Sequence, residues 1–542
     1  MNKPCLCIII NGHEPFVSFS GGGGASGGGG GAAADSSPEE QNFFEAVSET
    51  YIPLLELFGR LENSGTPFRL GMVLSPSLCA MFQNKRLMEK YVGWLDKRID
   101  FGRHELDRCG ADAELSSLIR FYFTQDIERR ISLTERYGMD LLGAFGSFQK
   151  KGRIEFLGTA ATAAFLPFYA SMSEAVHAQI ETALVHHRRY LGRAPSGFWL
   201  PDLGWTAALG PALMEYHFSY TVVDSHALIL GRPPAGAGIF NPVKTSSGLT
   251  VFARDITART DLNELIKVRP GIYQMHFLDA GYELSLEALK PLLGPGDCRC
   301  STGYRYWQEA EKEKILYKPQ EARELACEQA RDFLALRLSR LEEARRRLEN
   351  EAVSVWTFDA ADLGRRWYEG PFFLEALIHE IALRGTVDIF SPQDYLDQRP
   401  GLPFQISEPE YSSSLRDGYG GMLLDASNDW IYRHIFRSIQ RMIEMTERFP
   451  ADTGLKERAL NQAAREILLA QSTDWSKPLN PQGDEKTTRE HAEKELEGAL
   501  RNFTTIYEAL GSNHISTEWL AALEKRHALF PYINYRVFGK KK

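Results

Sequence analysis

Two carboxylates stand directly after short apolar segments that are rich in aromatic residues. Asp202 follows residues 197–201, and Asp359 follows residues 353–358. Both segments have the β-branched and aromatic composition of buried strands. A pair of carboxylates can cleave a glycosidic bond, with one as nucleophile and the other as general acid and base. An aspartate after a strand can also simply cap a helix, so the spacing alone leaves both interpretations open.

Other residues near these segments fit the binding of a sugar. Aromatic rings can pack on the apolar faces of pyranoses, although a tryptophan can equally belong to the core. His13 follows a third apolar run, residues 5–10, and could line a cleft or lie satisfied in the core. The tryptophans that flank the two carboxylates are Trp199, Trp205, Trp356 and Trp367.

Strand-like and helix-like segments alternate along the first two thirds of the chain. This alternation predicts a parallel α/β sheet or barrel, in which chemistry lies at the carboxyl ends of the strands. Residues 76–150 read as three helices without an intervening strand, which indicates a helical insertion. Residues 318–350 predict one long charged helix. The predicted strands are residues 5–10, 69–75, 153–158, 197–201, 219–224 and 352–359.

These patterns divide the chain into two parts. Residues 1–424 form the predicted barrel, with the helical insertion at 76–150. Residues 18–34, which are rich in Gly, Ser and Ala, cannot bury a core and are expected to form a flexible surface loop. Residues 425–542 carry only helical patterns and are predicted to be an all-helical C-terminal domain.

Composition narrows the class of partner. The 542 residues are 43% hydrophobic with a net charge of -9, which excludes a largely disordered chain and disfavours nucleic acid as the main partner. No apolar run is long enough for a membrane span. Seven thinly spread cysteines favour a reducing compartment, and the cytoplasm is the expected location.

Six segments in the order of the chain resemble glycoside hydrolase family 57, and within it the 1,4-α-glucan branching enzyme group. The resemblance extends from residue 1 to about residue 510. It rests on residues 10–16 (INGHEPF), 50–55 (TYIPLL), 158–167 (GTAATAAFLP), 198–202 (FWLPD) with 223–226 (VDSH), 357–360 (TFDA) with 367–371 (WYEGP), and 469–475 (LAQSTDW).

The resemblance implies a fold and a set of roles. It implies a (β/α)7 barrel with a helical insertion and a C-terminal helical domain, and a retaining reaction on α-1,4-glucan or maltooligosaccharide without metal or organic cofactor. Asp202 stands at the nucleophile position and Asp359 at the acid/base position. The matched substrate-binding positions are His13, Arg254, Gly271 and Asp474, to which the flanking Trp199 and Trp356 are added as candidate sugar platforms.

Several departures from the family pattern fall on the active face. The family nucleophile is glutamate, and an aspartate is one methylene shorter. Ala163 stands where a histidine is usual, and Leu415 where a tryptophan is expected. Arg365 and Arg366 replace aromatic or histidine residues, and residues 221–272 contain no tyrosine for the loop that often covers the site.

Two functions therefore follow as hypotheses. The first is an enzyme that acts on α-1,4-glucan, with a lower ratio of branching to hydrolysis than in typical members. The second is a catalytically impaired protein that binds α-glucan or has a regulatory role. The sequence leaves the natural glucan and the oligomeric state open.

Overall fold

The computed structural model of the protein describes residues 3–19, 36–293, 299–309, 314–348, 352–401, 404–483 and 488–540. The predicted loop at residues 18–34 lies outside the described residues except for Ser18 and Phe19. Both of these residues contact the C-terminal part of the chain: Ser18 Oγ donates to Glu495, and the Phe19 amide donates to the Arg526 carbonyl.

Strands occur throughout the first 390 residues. The six strands predicted from the sequence are all present, and short strands that the sequence patterns missed accompany them. The strands in the described residues are β1 Cys5–Gly12, β2 Leu70–Leu74, β3 Ile154–Thr159, β4 Gly197–Trp199, β5 Tyr220–Val223, β6 Val243–Lys244, β7 Thr250–Ala253, β8 Trp307–Glu309, β9 Lys314–Leu316, β10 Val353–Asp359 and β11 Asp388–Ile389.

Seven of these strands form a parallel barrel. The order is β10-β1-β2-β3-β4-β5-β7, and every neighbouring pair in this series is parallel. The series closes where Arg254, just after β7, forms a bridge to Val355 of β10, and the Asp255 amide donates to the Val355 carbonyl at 2.8 Å. The predicted (β/α)7 architecture is confirmed. β6 pairs antiparallel with β7, and β11 pairs with β1.

Both faces of the barrel strands are buried, which explains their nearly continuous apolar sequence. On β1, Cys5, Cys7 and Ile9 belong to the cluster inside the barrel, together with Trp199 and Phe252. The alternate residues of β1 face the surrounding helices and are part of the main core. The barrel is therefore filled by side chains at its base and opens at the carboxyl ends of its strands.

Helices surround the barrel and build the rest of the chain. The α-helices in the described residues are α1 Pro38–Ala46, α2 Ile52–Asn63, α3 Pro76–Gln83, α4 Lys85–Cys109, α5 Ala113–Ile131, α6 Leu141–Lys150, α7 Ser173–Leu191, α8 Leu209–Glu215, α9 Ser225–Ile229, α10 Ile256–Lys267, α11 Ala280–Glu283, α12 Leu286–Leu289, α13 Pro319–Leu348, α14 Gly370–Arg384, α15 Pro392–Asp397, α16 Trp430–Arg448, α17 Leu455–Ala470, α18 Thr473–Ser476, α19 Arg489–Gly511 and α20 Thr517–Arg526. None of the helices in the described part of the chain is long and apolar enough to cross a membrane.

The segment between β2 and β3 contains only helices, but their number differs from the prediction. Four helices, α3 to α6, occupy residues 76–150 instead of three. Asn84 separates α3 from α4, because its extended ψ of 99° ends the first helix and its side chain caps the second by accepting from the Leu87 amide. The expected helical insertion is thus present, with one additional break.

The chain after β11 adds helices α15 to α20, of which α16 to α20 form a bundle. This bundle joins the barrel at one point that matters for the site. Ser472, just before α18, forms a bridge to Ala164 after β3, and the Thr473 amide donates to the Ala163 carbonyl at 2.9 Å. The exact boundary between the two parts, placed at residue 424, stays a prediction.

Candidate active site

One cavity opens at the carboxyl ends of the barrel strands, with a volume of about 290 Å³. It collects residues that lie far apart in the sequence, from the first strand to the C-terminal bundle. Six of the predicted site residues line it: His13, Trp199, Asp202, Arg254, Asp359 and Asp474.

Two predicted site residues lie elsewhere. Trp356 is fully buried and does not line the cavity; its ring packs edge-on against Phe333 in the core around the barrel. The correction follows from strand alternation, because Val355 points into the barrel and its neighbour Trp356 must point outwards. Gly271 has a φ of +93°, and a Cβ there would lie 2.9 Å from Gln308 Oε1. Gly271 therefore allows the backbone to form a turn, and it does not line the cavity.

Asp202 sits on a tight turn directly after β4. Its φ of 52° and ψ of 22° lie in the left-handed region, and Leu203 follows with a φ of 48°. Such backbone costs energy for a residue with a side chain and persists only where the surroundings hold it. Here the Ser414 amide donates to the Asp202 carbonyl at 2.6 Å, so a separate segment holds the turn in place.

The Asp202 carboxylate is held by two residues of the C-terminal bundle. Lys477 Nζ lies 2.6 Å from Oδ1, and Thr473 Oγ1 donates to Oδ2 at 3.2 Å. The side chains of Asp202 and Lys477 are only 14% and 19% exposed. The carboxylate at the nucleophile position is thus one half of a largely buried ion pair.

Asp359 ends β10 on the other side of the cavity and is more accessible, with 35% of its side chain exposed. Asn11 Nδ2 donates to its Oδ1 at 3.1 Å, and a guanidinium nitrogen of Arg259 lies 3.5 Å from its Oδ2. Burial, reinforced by the charge of Asp359, raises the pKa of the neighbouring Asp362. Arg259 and Arg366 pair with Asp362, so two carboxylates and two guanidinium groups form one network.

His13 and Asp474 form a second pair in the cavity. His13 Nε2 donates to both Asp474 oxygens at 2.9 and 3.0 Å, while its Nδ1 shares a hydrogen bond with Ser75 Oγ at 2.9 Å. Burial acts to raise the pKa of Asp474, but His13 and then Lys477 outweigh it and lower that pKa to about 2. Asp474 is therefore ionised at neutral pH and fixes the orientation of the imidazole.

Arg254 reaches the cavity from β7 and is oriented from behind. Its Nε and Nη2 lie 2.8 and 2.5 Å from Asp224 Oδ2, and the Asp224 carboxylate is 1% exposed. The second oxygen of Asp224 faces His226 Nδ1 at 3.2 Å. A buried carboxylate that holds a guanidinium with two bonds fixes the direction of the remaining donors.

The residues that depart from the family pattern have distinct positions. Ala163, Leu415 and Arg366 line the cavity, so these changes do alter its surface. Arg365 lies outside the lining, where its Nη2 donates to Asn42 and its amide donates to Thr50 Oγ1. Three of these four departures from the family pattern therefore lie on the cavity surface, and Arg365 does not.

Sequence reasoning missed several residues of the site. Lys477, Thr473, Arg259, Asn11 and Asp224 all contact or orient the predicted residues. Asn11 lies two residues before His13, and Thr473 and Lys477 lie close to Asp474 in the sequence. Their proximity to predicted site residues could have indicated them. Within the described residues, no group of three or more His, Cys, Asp or Glu side chains could hold a metal ion.

The fold and the site define a barrel protein with two carboxylates facing one cleft. The sequence profile of glycosyl hydrolase family 57 matches residues 9–266, and that of the 1,4-alpha-glucan branching enzyme C-terminal region matches residues 434–538. The first of these matches places residues 9–266 in glycosyl hydrolase family 57.

Relatives are found among both curated sequences and solved structures. A 1,4-alpha-glucan branching enzyme of Thermococcus kodakarensis is 25% identical over 463 residues, which are 80% of this chain and 65% of that protein. This chain thus spans slightly less than two thirds of the length of that relative.

Crystal structures that match the whole chain include an amylase and a branching enzyme. The α-amylase AmyC of Thermotoga maritima is 29% identical with a TM-score of 0.89, and the alignment covers 100% of both chains. The family 57 branching enzyme of Pyrococcus horikoshii is 21% identical with a TM-score of 0.84 and shares the fold, with 100% of this chain and 98% of that chain covered.

Proposed function

We propose that this protein is a glucanotransferase of the 1,4-α-glucan branching enzyme type, which acts on α-1,4-glucan or maltooligosaccharide by retaining double displacement. The observation that carries the proposal is the placement of Asp202 and Asp359 on one cavity, at the carboxyl ends of β4 and β10. The relatedness to branching enzymes supports the same substrate class.

The two carboxylates would divide the chemistry between them. Asp202 attacks the anomeric carbon as the bond from that carbon to the leaving glucan oxygen breaks, and the proton of Asp359 goes to that oxygen. In the second step Asp359 takes the proton of the acceptor hydroxyl. The acceptor oxygen then bonds to the anomeric carbon, and the electron pair of the glycosyl ester returns to Asp202.

The surrounding residues would bind and orient the sugar. Arg254, His13 and Asp474 offer hydrogen-bonding groups on the cavity wall, and Trp199, which is 6% exposed, offers a small ring surface. These roles agree with the positions that the family resemblance assigns. Gly271 and Trp356 take no part in this proposal.

The acceptor decides between transfer and hydrolysis. A glucan 6-hydroxyl gives a branch, whereas water gives a shortened chain. Residues 221–272 lack a tyrosine, and the sequence of the α-amylase AmyC is 29% identical to that of this chain. We therefore expect a lower ratio of branching to hydrolysis than in typical branching enzymes.

The cytoplasm is the proposed location of this activity. Within the described residues, cysteines 7, 79, 109, 300 and 327 form no disulfide, which is the state that a reducing compartment maintains.

Incubation of the protein with amylose tests the proposal. We expect new α-1,6 linkages and reducing ends in proton NMR, with the α-anomer as the first product. Asp359→Asn should lower the rates at which α-1,6 linkages and reducing ends form by at least about 100-fold, since general acid–base catalysis contributes a factor of roughly 10²–10⁴. Asp100→Asn, an exposed aspartate of the insertion, is the matched control. A wild-type protein that forms neither product after long incubation contradicts the proposal, and a β-anomer contradicts the retaining mechanism.

A further inference from the structure

The contacts of Asp202 single out Lys477 from the rest of the cavity. Lys477 Nζ lies 2.6 Å from Asp202 Oδ1, and the two residues are 275 positions apart in the chain. The lysine lies just after α18, in the C-terminal bundle, and it lines the same cavity. This inference rests on the proposed function, in which Asp202 is the nucleophile.

The other partner of the carboxylate holds it less firmly. Thr473 Oγ1 lies 2.8 Å from the Ala163 carbonyl and 3.2 Å from Asp202 Oδ2. A hydroxyl has a single proton to donate, so the nearer carbonyl competes with the carboxylate for it. The ammonium group of Lys477 has three protons and a full charge, and it is therefore the main anchor of Asp202.

Stability of the fold is a poor explanation for this ion pair. Withdrawing two charges from water costs about as much as their attraction returns, so a buried pair adds little net stability. Both side chains are less than a fifth exposed, yet they face the cavity instead of the core. The ammonium group also acts on Asp474, whose pKa it helps to lower and whose carboxylate is hydrogen-bonded to His13.

We propose that Lys477 is a positioning residue for the nucleophile. By holding Oδ1, it fixes the rotation of the shorter aspartate side chain and leaves Oδ2, with its weaker hydrogen bond, as the oxygen that attacks the anomeric carbon. A displacement of about 1 Å in such a geometry can cost roughly 10²-fold in rate. Lys477 thereby orients the short side chain of Asp202. A glutamate at this position would depend less on that contact.

The same contact serves the second step. In the glycosyl ester, Oδ2 is bonded to carbon and Oδ1 is an uncharged carbonyl oxygen. As the ester breaks, negative charge returns to the carboxylate beside the ammonium group, which stabilises it electrostatically. Loss of Lys477 should therefore slow release of the glycosyl group as well as its formation.

The experiment combines Lys477→Met with Asp202→Glu in a double-mutant cycle, using full-length protein and a 4-nitrophenyl α-maltooligoside. Methionine keeps the alkyl stem and removes the charge. We expect Lys477→Met to lower kcat by about 10- to 100-fold with KM changed less than about 3-fold. Lys477→Arg should restore most of kcat, and Lys494→Met, on an exposed face of α19, should leave it unchanged.

The Asp202→Glu background gives the decisive comparison. If Lys477 positions the short carboxylate, removal of its charge should cost at least about 5-fold less in the glutamate variant, which is a non-additive cycle. Equal losses in both backgrounds, or a loss confined to KM, would overturn the inference. Thermal unfolding of each variant shows whether a loss of activity is due to loss of the fold.

A crystal structure of Lys477→Met separates this inference from the proposed function. The inference requires the Asp202 side chain to adopt another rotamer there, whether or not the wild-type protein is active. An unmoved Asp202 contradicts the positioning role. An inactive wild-type protein with a displaced Asp202 in the variant contradicts only the proposed function.

Discussion

At the scale of single residues, the site is built from carboxylates that are each held by a nitrogen donor of another side chain. Asp202 pairs with Lys477, Asp359 faces Arg259, and Asp474 faces His13. The glucan substrate that we propose is neutral and would bring no charge of its own, so the charges of the cleft are balanced within the protein. The pairing also keeps each carboxylate in one orientation, which a nucleophile or a general acid requires.

Asp474 gives a prediction about stability and pH. Its pKa of about 2 in the folded protein is below the ordinary value of 3.8. The stabilisation is therefore complete above about pH 4 and is lost as the pH falls towards 2, and by linkage it amounts to about 2 kcal/mol. We expect Asp474→Asn to lower the free energy of unfolding at pH 7 by roughly that amount, and to flatten its pH dependence between pH 4 and 2, in urea titrations.

Another aspartate serves as the control for that measurement. Asp100 is 65% exposed and pairs with its helical neighbour Arg103 on the surface of the insertion. Asp100→Asn should keep the pH dependence of the wild type, because exposed pairs contribute little. An Asp474→Asn variant with an unchanged acid limb would show that the pair with His13 does not stabilise the fold.

At the scale of elements, a segment after α15 crosses the mouth of the barrel. Residues 412–418 pair with Trp205, hold the Asp202 carbonyl through Ser414, and accept a hydrogen bond from His226 at the Gly418 carbonyl. His226 is in turn held by Asp224, which also holds Arg254. Asp224 therefore connects the end of β5, the end of β7 and the crossing segment.

Asp224→Asn tests this connection. An amide cannot balance the guanidinium charge, so we expect Arg254 to lose its fixed direction and KM for maltooligosaccharide to rise about 10-fold, the effect of ~1.4 kcal/mol. The free energy of unfolding should fall by about 3 kcal/mol, as for other broken buried pairs. Initial-rate kinetics and urea titrations measure the two effects.

Glu410→Gln, just before that segment, is the matched control, because Glu410 forms an exposed pair with Arg232. Exposed pairs are worth at most about 1 kcal/mol, so both measurements should stay near the wild type. If Asp224→Asn binds maltooligosaccharide as the wild type does, then Asp224 does not orient Arg254 for the sugar.

At the scale of the whole molecule, the cavity belongs to both parts of the chain. The barrel contributes Asp202 and Asp359, while the C-terminal bundle contributes Thr473, Asp474 and Lys477. The chain before the Gly-rich segment also reaches the bundle, since Ser18 binds Glu495. Without the bundle, the carboxylate of Asp202 would lack its partners Lys477 and Thr473.

Deletion of residues 21–31 tests whether the Gly-rich segment contributes to folding. This stretch consists of nine glycines with Ala25 and Ser26, and it offers no side chain that could bury apolar surface. We expect the midpoint of thermal unfolding to stay within about 2 °C of the wild type. Phe19→Ala should lower it, because Phe19 packs edge-on against Phe16 with centroids 5.2 Å apart. A decrease above about 5 °C in the deletion variant, which corresponds to more than 1 kcal/mol, would contradict the prediction.

The alternation of apolar segments was sufficient to predict six barrel strands, the helical insertion and the helical C-terminal part, because local periodicity records which faces are buried. It missed β7, although β7 closes the barrel and is followed directly by Arg254. It also could not separate Trp199, which lines the cavity, from Trp356, which does not.

Residue types and their order in the chain were thus enough to predict the family resemblance, the barrel and the two carboxylates that face the cavity. Only the tertiary structure decided which face of each strand points inwards, because that depends on the register between strands. It also decided the partners of those carboxylates, since Asp202 and Lys477 meet across 275 residues and no local pattern links them. Contacts of this kind form only when the barrel and the bundle pack together.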